Sequence, residues 1–428
     1  MGSTAAAIVP NPGEVVTYRF PFGSSACDLW ITITGLVRAV GQHYILVEDM
    51  SNPVVLSTGD LSRWTAILDQ QVIPVVQQWF GTPTDFDGNN RIVVLITRQL
   101  NLQRPGTIGL VRSFDIRFSR VSCPSSNDGE VFYMWAVDPN GSAGPLPVPH
   151  SVFAANLLST WGHEIVHIIQ FAELFRQYGP FFVNPAHWIV EGGATLSEEI
   201  VGWSIEGRSR NQNLGATVAL GAGVEGTEWF KMQWQDLQSY FGLESNTSRV
   251  PFAPESCVWT LNPPGSFSTC LGRGLYYGVA ANLQRWVLDH VNVVPMGFTK
   301  SLFLNPGASV GNGLSALSSV TGLTLQDILP TWQMSMWADN RAALGTFAVQ
   351  QPSWNLQDIF GAMSPFGRLA PWMLNWGATG SLTIPVASGS AHYTEISGAA
   401  QPSTSLLVQG PGGNPLPSSV RLWLLRTQ

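Results

Sequence analysis

A run of 28 residues, from Ser151 to Tyr178, contains no proline and a single glycine, Gly162. Apolar residues recur in it at spacings of three and four, and Gly179-Pro180 follows it. This spacing predicts one amphipathic helix, with Ser151 as its cap and its end before Gly179.

Two of the 7 histidines, His163 and His167, lie four residues apart in this helix, with Glu164 after the first. At 3.6 residues per turn the two imidazoles share one face and can bind a single ion. Neutral imidazoles bind zinc in this way, and a neighbouring carboxylate can take a proton from water bound to the zinc. The H-E-x-x-H pattern therefore predicts a catalytic zinc site, against the alternative of two histidines packed in the core.

A catalytic zinc ion takes three protein ligands, so the chain must supply one more. The metzincin pattern is absent, because Gln170 and Glu173 occupy the positions of its glycine and histidine. His187 is an isolated candidate. Glu191, in NPAHWIVEGGATLSEEIVG, is favoured as the third ligand.

The segment around Glu191 predicts a second helix, with Asn184 as its cap and Pro185 in its first turn. Gly192 and Gly193 are interior to this helix, where each costs about 1 kcal/mol relative to alanine. Such glycines are tolerated where another backbone approaches closely, so we expect this helix to pack tightly.

Two more acidic residues follow on the same helix. Glu198 is seven residues after Glu191 and shares its face, so it can hold the second nitrogen of a ligating histidine or an incoming amine. The alternative is a solvated glutamate, which is the interpretation we favour for Glu199.

Strands are predicted before the zinc helix. Residues up to about Val55 alternate apolar and polar positions in VTYRF, LWITITGLV and YILVE, which indicates a β-rich N-terminal region. A buried strand is predicted from Ile92 to Thr97, and another in GEVFYMWAVD, either an ordinary core strand or an edge strand that pairs with an extended peptide.

Helices and a second β-rich region complete the chain. DLSRWTAILDQQVIPVVQQWF predicts a helix capped by Asp60 and interrupted by Pro74, and VTGLTLQDILPTWQMSMWADN predicts helices that break at Gly322 and Pro330. From about Gly377, the runs SLTIPVA, HYTEI, TSLLVQG and VRLWLLR predict a small β-sandwich. A stabilising cover and a substrate-binding accessory are both open as its role.

The amino-acid composition limits the classes of binding partner. Only 11% of residues are charged and the net charge is -7, so no basic face indicates binding to nucleic acid. No run of about eighteen apolar residues is present, so no membrane span is expected.

The cysteines favour an oxidising compartment, with buried free thiols as the alternative. Cys27, Cys123, Cys257 and Cys270 are even in number and form no close pair of the metal-binding type. The start, MGSTAAAIVPNPGEVV, lacks the cationic segment and apolar core of a signal peptide, and we expect that a signal was removed and an added Met-Gly-Ser remains. The expected location is extracellular.

The turn GTPTDFDGNNR contains a candidate site for a second ion, calcium. Asp85, Asp87 and Asn89 have the spacing that opens a calcium loop, but the late bidentate glutamate is missing. A plain turn is favoured, with calcium as the alternative.

WGHEIVHIIQF followed by HWIVEGGATLSEE resembles the gluzincin zinc peptidases, and most closely the hyicolysin-like bacterial secreted metallopeptidases. The turn-strand segment before the zinc helix and SNDGEVFYMWAVD are also similar, so the resemblance extends from about Val47 to Asp339. It implies an α+β fold with a thermolysin-like catalytic domain at 56–376, between a β-rich region at 1–55 and the sandwich at 377–428.

The resemblance also implies roles for particular residues. His163, His167 and Glu191 match the zinc ligands, and Glu164 matches the general base. GLYYGVAANLQRWVLDHV resembles the helix whose tyrosine hydrogen-bonds the oxyanion; Tyr277 aligns best, Tyr276 is its rival, and an ordinary core tyrosine is the alternative. This stretch lacks the second glycine of the family pattern.

The expected function is that of a secreted zinc endopeptidase acting on proteins or peptides, in which Glu164 activates a zinc-bound water. No G-x-S-x-G segment is present and no cysteine has an evident histidine partner, which disfavours a covalent mechanism. A zinc hydrolase of ester or polymer bonds is the nearest alternative. A non-catalytic binding protein is another, suggested by 17 tryptophans, most of which we expect in the core.

Overall fold

The computed structural model describes residues 9–22, 27–241, 254, 257–260, 276–291, 293–341, 344, 350–364, 372–375, 383–386, 389–397 and 407–424. They form a mixed α and β structure, which confirms the predicted α+β class. No helix among them is both long enough and apolar enough to cross a lipid bilayer.

Within the described residues, a six-stranded mixed sheet has the order β1-β2-β3-β4-β6-β5. Its strands are β1 (Val15–Pro21), β2 (Trp30–Val40), β3 (Tyr44–Asp49), β4 (Ile92–Ile96), β5 (Gly109–Val111) and β6 (Val131–Met134). β3, β4 and β6 are parallel, whereas β1, β2 and β5 are antiparallel to their neighbours. β5 therefore ends the sheet on one side and β1 ends it on the other.

The central strands are buried on both faces. Every residue of β3, β4 and β6 is buried, as expected for parallel strands covered on both sides. Leu46 and Val94 face the helices, whereas Val47 and Leu95 join a smaller core cluster with Phe20 on the other face. The sheet is thus a rigid support for the helices.

Thirteen α-helices are present in the described part of the chain. They are α1 (Thr58–Ile67), α2 (Ile73–Phe80), α3 (Arg98–Gln103), α4 (Ser113–Arg117), α5 (His150–Tyr178), α6 (His187–Ile205), α7 (Ala216–Ala219), α8 (Lys231–Tyr240), α9 (Tyr276–His290), α10 (Pro295–Phe303), α11 (Leu314–Thr321), α12 (Leu325–Ala338) and α13 (Leu356–Met363).

The helix predicted around Pro74 is present as two helices. A π-helical turn, Leu68–Val72, separates α1 from α2, so the interruption lies just before the proline. The predicted cap was wrong: Ser57 caps α1 by accepting a hydrogen bond from the amide of Asp60 at 3.1 Å. A short hydroxyl just before the first turn reaches that amide.

Helix α5, which carries the H-E-x-x-H motif, ends where predicted, at Tyr178, and Gly179 follows with a φ of 74°. The predicted cap was two residues late, because Pro149 is the N-cap residue and Ser151 lies inside the helix without capping it. The ψ of Pro149 is 153°, so the helical backbone begins after it, and no side chain caps this start.

The second helix, α6, begins at His187, and Ala186 is its N-cap residue. The prediction of Asn184 as cap and Pro185 in the first turn was therefore wrong. The amide of Ala186 instead donates to the carbonyl of Ala308 at 2.7 Å, so a tertiary contact fixes this helix start.

Pro330 does not break the helix that contains it. It lies inside α12, which is capped by Thr324, whereas the predicted break at Gly322 is present. A proline in a helix interior removes one backbone hydrogen bond. Trp332 and Met336 of the same helix are fully buried, so α12 is packed into the core on both sides of the turn after Pro330.

The strand predicted in GEVFYMWAVD is the shorter β6, and it is not an edge strand. It lies between β4 and β5 and pairs with both. The edge strand on this side of the sheet is β5, whose three residues are too few to give an alternating pattern in the sequence.

A disulfide joins Cys27 to Cys123, so it ties the segment before β2 to the segment before β6. Cys257 is also disulfide-bonded. Cys270 lies outside the described residues.

The C-terminal part contains a parallel pair of strands, β7 (Trp372–Asn375) and β8 (Thr394–Ser397). Residues 420–424, part of the predicted strand VRLWLLR, form no strand and are exposed. Parts of SLTIPVA and TSLLVQG lie outside the described residues. The β-sandwich therefore stays a prediction.

Candidate metal centre

Helices α5 and α6 bring three potential metal ligands together. Nε2 of His163 lies 3.4 Å and Nε2 of His167 lies 3.2 Å from Oε2 of Glu191. One ligand atom from each of the three side chains falls within 4.8 Å of the others. The two imidazoles are four residues apart, on successive turns of α5, and their rings meet nearly at right angles, at 81°.

The donor set fits a zinc ion. Oε2 of Glu191 is buried and has no hydrogen-bond partner, although an isolated buried carboxylate oxygen is costly. Two imidazoles and one carboxylate are a ligand set of catalytic zinc sites. A cation between these three groups would satisfy the orphaned oxygen.

Each of the two histidines has a hydrogen-bond partner at its other ring nitrogen, Nδ1. Nδ1 of His163 lies 2.8 Å from Oε1 of Glu198, the residue that the sequence suggested for this contact. Nδ1 of His167 lies 3.0 Å from Oε1 of Gln170. Because each Nδ1 faces an acceptor, a neutral imidazole would carry its proton on Nδ1 and present a bare Nε2 toward Glu191, as metal binding requires.

Gln170 was not predicted as a site residue. It is 1% exposed, and its Nε2 donates to the carbonyl of Val190 at 3.1 Å. It therefore connects His167 on α5 to the backbone beside Glu191 on α6. Its place three residues after His167, one helical turn away, is the only signal of this contact in the sequence.

We expect Gln170→Leu to weaken zinc binding by about 10- to 100-fold, because His167 loses the acceptor that fixes its ring. The measurement is competition for zinc with a chromophoric chelator. Gln177→Leu, at an exposed position of the same helix, is the matched control and should bind zinc as the unmodified protein does. An unchanged affinity in Gln170→Leu would show that Gln170 does not orient the ligand.

Glu164 lies beside the centre and has one free oxygen. The residue is 5% exposed, and its Oε2 is buried without a hydrogen-bond partner. Burial raises the pKa of this carboxyl, and the charges of His167 and His163 oppose that effect. A carboxyl in such a setting suits proton transfer near neutral pH.

The edge strand β5 passes close to Glu164. A Cβ atom at Gly109 would overlap Oε1 of Glu164 and come within 2.7 Å of Cγ of Glu164 and Cγ2 of Thr160. Glycine is thus required at this point of β5. The strand edge and the free carboxyl share one side of α5.

Tyr277 and Tyr276 start α9 and have different partners. The ring of Tyr277 lies 6.0 Å from that of His163, whereas the hydroxyl of Tyr276 lies 2.8 Å from Nε2 of His187. The two tyrosine rings stack at 4.5 Å. Burial, followed by the charge of Glu191, raises the pKa of Tyr277, so its hydroxyl keeps its proton.

His187 is close to the centre without joining the ligand group. Its Nε2 lies 3.8 Å from Oε1 of Glu191 and contacts the hydroxyl of Tyr276. His187 lies one turn before Glu191 on α6, and its contact with Tyr276 connects that helix to α9.

The electrostatics favour a positive charge between the ligands. Burial alone would raise the pKa of Glu191, but His167 and His163 hold it well below its ordinary value. Burial alone would lower the pKa of His163, but the neighbouring carboxylates of Glu191 and Glu198 hold it well above its ordinary value. These carboxylates therefore attract a cation to the imidazoles.

The glycines of α6 allow close packing of its neighbours, as expected. A Cβ at Gly192 would lie 2.7 Å from Cβ of Ala280 on α9, and one at Gly193 would lie 3.2 Å from Nε2 of Gln170. Helix α6 thus holds α5 and α9 in register around the ligands.

Glu199 is not a solvated glutamate, and that interpretation was wrong. It is 2% exposed and forms an ion pair with Nε of Arg285, while Nε1 of Trp354 donates to its Oε2 at 2.7 Å. Adjacent helical residues point about 100° apart, so Glu199 faces Arg285 of α9 and Trp354 while Glu198 faces His163.

The second candidate ion site contains a residue that the turn did not reveal. Ligand oxygens of Asp85, Asp87 and Glu130 lie within 4.8 Å of one another, and Nδ2 of Asn89 donates a hydrogen bond to Asp87. Burial raises the pKa of Glu130 to about 7. Amides and hydroxyls of the turn also satisfy these carboxylates, so a plain turn and a calcium site are both compatible with this arrangement.

The tryptophans belong mainly to the core. Seven of them are among the largest fully buried side chains: Trp64, Trp161, Trp188, Trp234, Trp259, Trp332 and Trp354. They offer no stacking surface to a ligand.

In comparisons by sequence, no family model matches the chain and no curated protein matches it.

Proposed function

We propose that this protein is a zinc-dependent metallopeptidase of the gluzincin type. The observation that carries the proposal is the convergence of His163, His167 and Glu191, with the unpartnered carboxylate oxygen of Glu164 beside them. In this proposal the three converging residues hold one zinc ion and Glu164 is the general base.

Zinc, when bound, supplies a Lewis acid that lowers the pKa of water and polarises a carbonyl oxygen. Glu164 takes a proton from the attacking water and delivers it to the nitrogen of the breaking C–N bond. Tyr277, which keeps its proton, donates a hydrogen bond to the carbonyl oxygen as negative charge develops there. Glu198 and Gln170 hold the ligand histidines in place.

A peptide is the favoured substrate. Within the described residues β5 ends the sheet, so its outer backbone groups can pair with an extended chain. Gly109 places that edge against Glu164, which aligns a paired peptide bond with the proposed base. An ester in a polymer without amides would gain nothing from this edge.

The finer fold assignments belong to the same proposal. We infer a thermolysin-like arrangement, because a mixed sheet with an outer strand lies along the helix that bears the H-E-x-x-H motif. The hyicolysin-like assignment rests on the sequence resemblance, and the C-terminal β-sandwich on the patterning of that region. Secretion is supported by the Cys27–Cys123 disulfide.

The test is removal and restoration of the metal. The protein is incubated with a mixed peptide pool, and new termini are identified by mass spectrometry before chelation, after chelation and after addition of zinc. We expect cleavage at internal peptide bonds that stops with chelation and returns with zinc. Full cleavage by the metal-free protein would refute the proposal.

A further inference from the structure

A group of aromatic side chains lies beyond the carboxyl end of the edge strand. Phe114 is on α4, which follows β5, and its ring lies 5.5 Å from that of Phe118. The ring of Phe118 lies 6.1 Å from that of Phe181, in the link between α5 and α6. We call Phe114, Phe118 and Phe181 the aromatic rim.

Ring contacts connect the aromatic rim to the metal centre. The ring of His167 stacks on Phe171 at 6.3 Å, and Phe171 stacks on Phe182 at 6.3 Å. The guanidinium of Arg117 lies over Phe182 at 4.1 Å and also approaches Phe118, at 5.4 Å. The rim is therefore continuous with the candidate site.

Hydrogen bonds from Arg117 hold the rim in place. Its Nε donates to the carbonyl of Pro180 at 2.8 Å, and its NH2 group donates to the carbonyl of Phe182 at 3.1 Å. These bonds join α4 to the link before α6. Phe181 lies between the two anchored residues, and it is nevertheless 81% exposed.

An exposed phenylalanine on a fixed backbone is a candidate contact for an apolar ligand. Internal packing does not account for the position of Phe181, because most of its ring faces solvent. Substrate side chains are the appropriate occupants, because the rim continues from the strand edge that we propose to pair with peptide.

The direction of β5 determines which substrate residues reach the rim. The strand runs from Gly109, beside Glu164, to Val111 and then into α4. Antiparallel pairs outnumber parallel ones, so a bound peptide is expected to run in the opposite direction. Residues on the amino side of the scissile bond then lie toward the rim.

We propose that the aromatic rim binds large apolar side chains of substrate residues on the amino side of the scissile bond. This inference rests on the proposed peptidase function. The positive charge of Arg117 within the rim disfavours lysine and arginine at the same substrate positions.

The test compares cleavage of two matched peptides, one with phenylalanine and one with serine at the positions that precede the scissile bond. Phe181→Ala is the variant, since an exposed side chain can be removed without unfolding the protein. We expect kcat/KM for the phenylalanine peptide to fall about tenfold, mainly through KM, because one apolar contact is lost. The value for the serine peptide should change less than twofold.

Val15→Ala is the matched control, because Val15 is 59% exposed on β1, at the opposite edge of the sheet. It should leave both peptides unaffected. A second measurement uses the inactive Glu164→Gln background, in which Phe181→Ala should raise the Kd of the phenylalanine peptide by a similar factor. Equal losses for both peptides, or none for either, would overturn the inference while leaving the peptidase proposal intact.

Failure of the peptidase proposal has a different signature. If the unmodified zinc-loaded protein cleaves neither peptide and no member of a mixed pool, both the function and the rim inference are refuted. Cleavage sites without an apolar preference on their amino side refute the rim alone.

Discussion

Replacing Glu164 with glutamine is expected to reduce kcat/KM for peptide cleavage by about a thousandfold, within the usual range for loss of a general acid or base. Glutamine has nearly the same shape as glutamate, but it cannot accept a proton from water. The measurement is steady-state cleavage of a fluorogenic peptide, with metal content determined on the same samples.

Zinc should be retained in Glu164→Gln, because the ligands His163, His167 and Glu191 are unchanged. Glu173→Gln is the matched control, since Glu173 lies on the same helix and pairs with Arg176 and Lys300 rather than facing the ligands. If Glu164→Gln cleaved the peptide at the rate of the unmodified protein, Glu164 would not be the general base.

Arg285→Met is expected to lower the free energy of unfolding by about 3–5 kcal/mol, the usual cost of removing one partner from a buried ion pair. Arg285 is 2% exposed, pairs with Glu199 and lies 3.6 Å from Asp289. Its loss would leave the Glu199 carboxylate buried without a cation. Urea unfolding followed by tryptophan fluorescence measures the change.

The double variant Glu199→Gln/Arg285→Met should recover part of the lost stability, because the buried negative charge on Glu199 is also removed. Arg63→Met is the comparison for an exposed ion pair and should have little effect. An unchanged unfolding midpoint in Arg285→Met would contradict the view that this pair fixes α6 against α9.

Much of the site could be predicted from the sequence because its chemistry is local. His163, Glu164 and His167 fall on adjacent turns of one helix, so helical periodicity alone places the two imidazoles together. The prediction of Glu191 as the third ligand required a further assumption, that a second helix packs against the first. Its glycines indicated the close approach, but they could not identify the partner, which includes Ala280 of α9.

Contacts made by folding could not be predicted from the sequence. In the sequence, Gln170 is an ordinary polar residue of a helix, and only the fold places the carbonyl of Val190 beside it. Glu199 likewise has the pattern of a solvated residue, and only the fold pairs it with Arg285, which is distant in the sequence. The edge strand β5 was missed because three residues carry no periodicity. The start of α6 was misplaced because a tertiary contact fixes it: the amide of Ala186 donates a hydrogen bond to the carbonyl of Ala308.

The most direct test of the central claim is the zinc content of the purified protein and of Glu191→Gln, measured by mass spectrometry of metals after dialysis. We predict one zinc ion per chain in the unmodified protein and a large loss of zinc in the variant. A chain that binds no zinc, or a variant that holds it as tightly as the unmodified protein, would contradict the account.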